Sequence, residues 1–499
     1  MKISKHYGEG GRLNKAAAEV LINSAYDHDC EDADIVFPYL VYANLAYAIM
    51  LMETKIVPQE PAKRIINALI DIHENVDLEK IKIDPKNGDI YNNFDVLLRD
   101  RIGNDAGWLH TGRPRREAVN IAFVLITRKY WLDLMNTFFS LIETVIKVVE
   151  ENREVIMPDF TYLHHAQPTS LSHYLLTFVS ASMRDLQRLE ASYQRLDLST
   201  GGSGSVNGSS LPLSKEKIRK LLSFDAVAAH SRDAMWMPDI PFELMQVIGS
   251  LMMNWSRLAE EIQIWSTKEF DFIELPDSLC RASVIMPHKK NPYPVTYFRG
   301  LTSNIISKIS NYGMYGKIFS GNPDSRIFIY GDLPKTIEKA DKALKLLDAV
   351  IRDSTFKKEV MENSLKNDFS AATDIADYLI FKEKIDYRSA HQIVGKMVKK
   401  LNDQNKGFED FKSEDLASIS TEVVGYPIKI EQKEIAEIID PKNIIASRKT
   451  TGGAAPEQIS MMLENYRQSL EKSKSWLKNK SIIIQQFKSN LIDEAKKYE

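Results

Sequence analysis

The feature that most limits the fold is a set of long apolar stripes with helical spacing. From Leu244 the apolar positions run Leu244, Ile248, Leu251, Trp255, Leu258, Ile262 and Trp265. Steps of three and four put these side chains on one face of a single long helix. The same spacing recurs in Leu134, Phe138, Leu141, Val145 and Val148, in Leu171, Leu175, Phe178, Ser182, Leu186 and Leu189, and in Ile337, Ala340, Leu344, Leu347 and Ile351. A further helix is expected from Val295 to about Tyr312. Small residues on the stripes, such as Ser182 and Gly249, suit close helix approach. Five long helices in one region predict a bundle. Stripes this extensive are expected to need other chains to cover them, which makes an obligate oligomer.

Turn-forming clusters interrupt the helices at Thr200–Ser214, rich in Gly and Ser, at Glu274–Pro294 and at Phe319–Ser325. They divide the chain into an N-terminal helical domain (1–115), a central long-helix bundle (116–365) and a C-terminal helical domain (366–499). The last of these ends in a Lys-rich amphipathic helix from Ala455. A chain of 499 residues is too long for one small core. The net charge of -3, from 65 basic and 68 acidic side chains, favours neither nucleic acid nor an anionic membrane as partner. Cys30 and Cys280 stand in no paired motif, which argues against a disulfide framework or a cysteine zinc site. The opening MKISKHYGEGGRLNK lacks the apolar segment of a secretory signal. Apolar runs elsewhere are expected to break before they reach bilayer length. A cytoplasmic protein is expected.

Three segments look wrong for simple packing. In WLHTGRPRREAVN, Arg113, Arg115 and Arg116 cluster just before a helix. Guanidinium groups beside free helical N–H groups make a carboxylate site, although on these residues alone a solvated basic turn is the better explanation. In DFTYLHHAQPTSLSHY stand His164, His165 and His173, three of ten histidines. Adjacent histidines point in different directions, so hydrogen bonding to a polar substrate fits better than a metal. In SVIMPHKKNP, Ser283, Lys289 and Asn291 share a loop. Lys289 and loop N–H groups there can stabilise a serine alkoxide or a substrate oxyanion.

Together these segments resemble the three signature regions of the fumarase/aspartase superfamily, and specifically of argininosuccinate lyase. LHTGRPRRE is similar to Leu-His-Thr-Gly-Arg-Ser-Arg-Asn-Asp, FTYLHHAQPTSLSHYLL to Tyr-Thr-His-Leu-Gln-Arg-Ala-Gln-Pro-Val-Thr-Leu-Gly-His, and ASVIMPHKKNP to Gly-Ser-Ser-Ile-Met-Pro-Gln-Lys-Lys-Asn-Pro. SRLAEEIQIWSTKEFDFIELPD, AATDIADYLI, YRSAHQIVGKMV and GGAAPEQI extend the likeness over nearly the whole chain, except the first ~30 residues. The resemblance implies an all-α, three-domain fold and a homotetramer with a 20-helix core. It also implies active sites shared between three chains, a small-molecule dicarboxylate substrate and no cofactor. It makes Ser283 the base that removes a proton beside a carboxylate. Lys289 and Asn291 then stabilise the resulting aci-carboxylate, and Thr161, Gln167 and Arg115 are substrate-contact or site-shaping positions. His164 and Arg116 are expected to contact substrate as well.

The departures are as informative. The family's proton-donating histidine is Tyr162 here, and the glutamate that orients it is Thr296. Both halves of one unit have changed, and a tyrosine can still act as the acid. Ser-Arg-Asn has become Pro114-Arg115-Arg116, and the second loop serine is Val284. The family's Asp-Leu-Gln-Glu-Asp-Lys, which holds the amino-acid half of the substrate, corresponds to Asp332-Leu333-Pro334-Lys335-Thr336-Ile337. Only Lys335, after a register shift, is left to replace the lost contacts. Retained groups gather at the fumarate end and altered ones at the amine end. The favoured reading is a carbon–nitrogen lyase acting on an N-substituted aspartate. The alternatives are argininosuccinate lyase itself with a diverged site, and a non-catalytic homologue of the lens-crystallin kind.

Overall fold

A computed structural model describes residues 15–78, 80–81, 83–321 and 324–499. The opening segment to residue 14, and residues 322 and 323 of the expected Phe319–Ser325 turn, lie outside the described residues. The architecture is helical, and seven long helices carry it. They are α1 (Ala33–Glu53), α2 (Arg115–Glu151), α3 (Leu171–Leu196), α4 (Asp239–Trp265), α5 (Tyr293–Gly316), α6 (Asp332–Asp353) and α7 (Pro456–Lys496). All four apolar stripes expected from the sequence are buried, including every position from Leu244 to Trp265. Each such side chain contributes about 1.5–3 kcal/mol by leaving water. Leu251→Ala, in this packed setting, would cost about 2–5 kcal/mol. Gly249 allows α4 and α5 to meet closely: a Cβ there would lie 2.7 Å from Ile309 Cδ1.

The burial corrects one inference. The stripe from Leu244 to Trp265 is covered within one chain, so its extent gives no reason for an oligomer. A second correction concerns α1, which is 21 residues long and apolar enough to cross a membrane by length and composition. Contrary to the expectation of broken runs, the one polar side chain well inside it, Asn44, does not cut the run below that length. It is buried instead by α2, α7 and the helices Gln59–Asn75 and Ile90–Ile102, which is why it is apolar on every side.

The helices run alternately up and down. Ser172, at the start of α3, donates to Val149 O at the end of α2. Arg195, at the end of α3, pairs with Glu243 at the start of α4. α6 runs parallel to α2, with Thr137 donating to Asp341 and Thr144 to Asp348. The C-terminal residues divide. Residues 371–444 hold an apolar cluster of their own. α7 packs along α2 and α3 and joins the main core. The N-terminal helices share the main core too.

The few strands are short. β1 (Ile156–Thr161) and β2 (His164–Ser170) form an antiparallel hairpin between α2 and α3. β3 (Ile273–Glu274) pairs with β6 (Thr355–Phe356). β4 (Arg281–Ala282) and β5 (Lys290–Asn291) close the loop that carries Ser283.

Candidate active site

α2 has 37 residues and at about 1.5 Å per residue spans roughly 55 Å. Arg115 begins it, and the β1–β2 hairpin follows its end. The Ser283 loop belongs to the hairpin's end of the bundle: Phe160 of β1 packs on Phe270 and Phe272, just before β3. Within one chain the predicted residues therefore form two groups. Thr161, Tyr162, His164, Gln167, Ser283, Lys289 and Asn291 lie at one end, and Arg115 and Arg116 at the other.

At the first end, the hairpin turns through Tyr162 and Leu163, both with positive φ (55° and 60°). A two-residue hairpin favours this geometry, but Asn and Gly are its usual occupants. Here two bulky side chains hold it, and Tyr162 is 97% exposed. Thr161 and His164 are partners across the strands, as are Phe160 and His165. Alternation then puts His164 on the face of Thr161 and His165 on the other. His165 is occupied: its Nδ1 lies 3.0 Å from Asp368 Oδ2. His173 bridges Thr169 Oγ1 and Gly452 O at 3.1 Å each. The register shifts between Pro158 and Phe160. The extra β2 residue falls at Ala166–Gln167, and such a bulge re-aims side chains.

The Ser283 loop is exposed, with the apolar side chains of Val284 and Ile285 at its tip. Ser283 Oγ accepts a hydrogen bond from Met286 N–H at 3.1 Å. A donor at this oxygen favours its alkoxide. Asn291 Nδ2 donates to Arg281 O at 2.8 Å and ties the base of the loop. Lys290 is held by Asp277 at 2.8 Å. Lys289 has no ion pair among the described residues. Thr296, at the family's glutamate position, is exposed on α5.

At the other end, Arg113 is buried. It donates to Asn44 Oδ1 at 2.6 Å and to Tyr91 OH at 3.1 Å, and lies over the Tyr47 ring at 4.2 Å. It fastens α1 to the turn, while Arg115 and Arg116 are half-buried. Arg115 Nε is 3.3 Å from Asp89 Oδ2, and Arg115 Nη1 is 3.4 Å from Asn92 Oδ1. Asp29 joins this cluster. Burial and the nearby Asp89 carboxylate push its carboxyl up to about 6, while His28, Arg115 and Arg116 pull it down. Sequence reasoning missed Asp29, Asp89 and Asn92. The acidic run around Asp27–Asp29 was the signal, but it falls where the family resemblance is poorest. Lys335 offers no replacement for the lost amine contacts: its ammonium pairs with Asp32 at 2.6 Å. Leu333, Pro334 and Ile337 are buried in the core.

The family model described as Lyase matches residues 17–307, and the one described as Argininosuccinate lyase C-terminal matches residues 369–446. The chain belongs to this lyase family. Within it, the chain is an argininosuccinate lyase-like carbon–nitrogen lyase. It is 31% identical to the argininosuccinate lyase of Clostridium perfringens, over 93% of this chain and 97% of that protein. It is 32% identical to that of Caldicellulosiruptor saccharolyticus, over 92% and 97%, and 30% identical to that of Methanosarcina mazei, over 98% of each. Among solved structures, an EDDS lyase in complex with formate has the same fold, with a TM-score of 0.84 at 24% identity over 97% of this chain and 96% of that one.

Proposed function

We propose that this lyase cleaves or forms an N-substituted aspartate, with fumarate on one side and an amine other than arginine on the other. One contrast carries the reading. The Ser283 loop keeps Ser283, Lys289 and Asn291, with a backbone N–H already serving the serine hydroxyl. The positions that match the family's amino-acid contacts are instead buried apolar residues and a lysine bound to Asp32.

In the proposed reaction, Ser283 as its alkoxide takes the proton from the carbon beside a carboxylate. The Met286 N–H stabilises that alkoxide. Lys289 offsets the second negative charge of the aci-carboxylate, and Asn291 shapes the loop that holds it. The C–N electrons return to nitrogen, fumarate forms, and Tyr162 donates a proton to the leaving amine. Thr161, His164 and Gln167 contact substrate from the hairpin, and Arg115 and Arg116 take carboxylate groups.

The working unit in this reading is a cytoplasmic homotetramer with shared sites. Two observations support it. Arg115 and the hairpin lie at opposite ends of a helix roughly 55 Å long, so a site using both draws on more than one chain. The exposed residues of α5, among them Tyr297, Gly300, Ser303, Ser307 and Met314, include no charged side chain, which suits helix packing. The relatives named argininosuccinate lyase favour a second reading, with arginine as the amine. Ultraviolet detection of fumarate released from a panel of N-substituted aspartates tests the function. Release from at least one is expected, and release from none would remove the enzymatic reading. Mixing inactive Ser283→Ala and Arg115→Ala chains tests the shared site, since hybrid tetramers should regain activity.

A further inference from the structure

The Gly/Ser loop after α3 has no part in the reaction just described, yet both of its ends are tied to one turn. Gly202 N–H and Gly204 N–H donate to the two carboxylate oxygens of Glu117, at 2.7 and 2.9 Å. Both glycines have positive φ, 78° and 67°, and a Cβ on Gly204 would sit 2.5 Å from Gly208 O. The backbone is bent into a concave pair of N–H donors, a geometry that suits an anion, and the anion is supplied by the chain itself. Glu117 is buried, and the charges of Arg113 and Lys215 act on its carboxyl. At the loop's far end, Leu211 and Leu213 pack where a Cβ on Gly112 would be, at 3.2 Å. Between these attachments Ser205, Asn207, Ser209 and Ser210 are exposed. The segment from Gly112 to Glu117 thus carries Arg115, Arg116 and both footings of the loop.

We infer that Glu117 is a positioning residue which holds the Ser205–Ser210 apex beside Arg115 and Arg116 as a wall of the amine half of the site. The apex offers hydroxyl and amide groups without charge. It sorts amines by hydrogen bonding, and so takes a polar amine whose donors and acceptors match it. This inference rests on the N-substituted aspartate reading.

Three variants of the full-length enzyme test it. Glu117→Gln turns an amide NH₂ toward an N–H donor, so one fastening bond is lost. Glu117→Asp keeps the charge on a shorter arm, and Asn207→Ala alters only the apex. The readouts are hydrogen exchange of residues 201–210 and initial rates of fumarate consumption. The amine probes are arginine, lysine, ethylenediamine and aspartate. Glu117→Gln should speed exchange in the loop and raise the KM for the accepted amine about tenfold, the worth of one hydrogen bond, with the KM for fumarate unchanged. Glu117→Asp should recover part of this. Asn207→Ala should raise only the amine KM. If both KM values rise together, or only the melting temperature falls, Glu117 serves the fold alone and the inference is overturned. An Asn207→Ala enzyme with unaltered KM for every accepted amine overturns the wall. A wild-type enzyme that consumes no fumarate with any amine removes the reaction reading itself, and this inference with it.

Discussion

The two ends of the bundle differ in how their polar groups are used. At the hairpin end, Tyr162 and His164 are exposed and Ser283 is half-buried, and the backbone that carries them is held by bonds from elsewhere, such as His165 to Asp368 and Asn291 to Arg281 O. At the Arg115 end, several polar groups already have partners within the chain: Arg113 with Asn44, Lys335 with Asp32, and Glu117 with two glycine N–H groups. A group bound internally is not free to bind substrate without breaking that bond, and a buried polar group left unpaired costs about 1–3 kcal/mol. In the proposed reaction the open end keeps the shared chemistry, and the filled end sets which amine is admitted.

Substitutions sharpen this contrast. The largest effect should come from Ser283→Ala, which removes the proposed base. Turnover should fall below detection in steady-state fumarate assays, while circular dichroism and light scattering still report a folded tetramer. Lys289→Ala removes the cation proposed to offset the aci-carboxylate charge and should slow turnover about 10²–10³-fold, the usual cost of losing a preorganised oxyanion group; wild-type kinetics would remove the loop from the mechanism. Tyr162→Phe should cost less, about 10–10²-fold, because solvent or His164 can also protonate the amine, whereas a well-placed general acid contributes 10²–10⁴. If Tyr162→Phe is dead and Ser283→Ala active, the two roles are exchanged.

At the filled end the expected effect is on stability and not on turnover. Burial pushes the Glu117 carboxyl up to about 7, against the pull of the Gly202 N–H, Arg113, the Gly204 N–H and Lys215. Between about pH 4.5 and 7 the folded chain keeps a proton that the unfolded chain has lost. This group's contribution to stability is therefore fully present below about 4.5 and declines as pH rises through about 7, by roughly 3 kcal/mol in total. Urea unfolding across that range should show the decline in the wild type and a flatter profile in Glu117→Gln. Equal slopes would show that Glu117 does not titrate there.

The sequence made the helices legible because a stripe such as Leu244 to Trp265 is a local pattern with one physical meaning. The Ser283 loop was legible because its polar residues are adjacent in the chain. What escaped was set by long-range contact. Glu117 and Gly202 are 85 residues apart, and His165 and Asp368 are 203 apart. Nothing local marks either pair. Burial was misjudged for the same reason: the Leu244 stripe finds its cover within the chain, and Arg113, grouped with Arg115 and Arg116 by sequence, points into the core.

The most direct test of the difference between the ends is the ratio of kcat/KM for argininosuccinate to that for the best N-substituted aspartate in the panel. The account predicts fumarate release from another adduct and a ratio far below one. Cleavage of argininosuccinate at about 1–10³ per second, the range of ordinary enzymes, and at least as efficient as that of any other adduct, would contradict it and make arginine the amine.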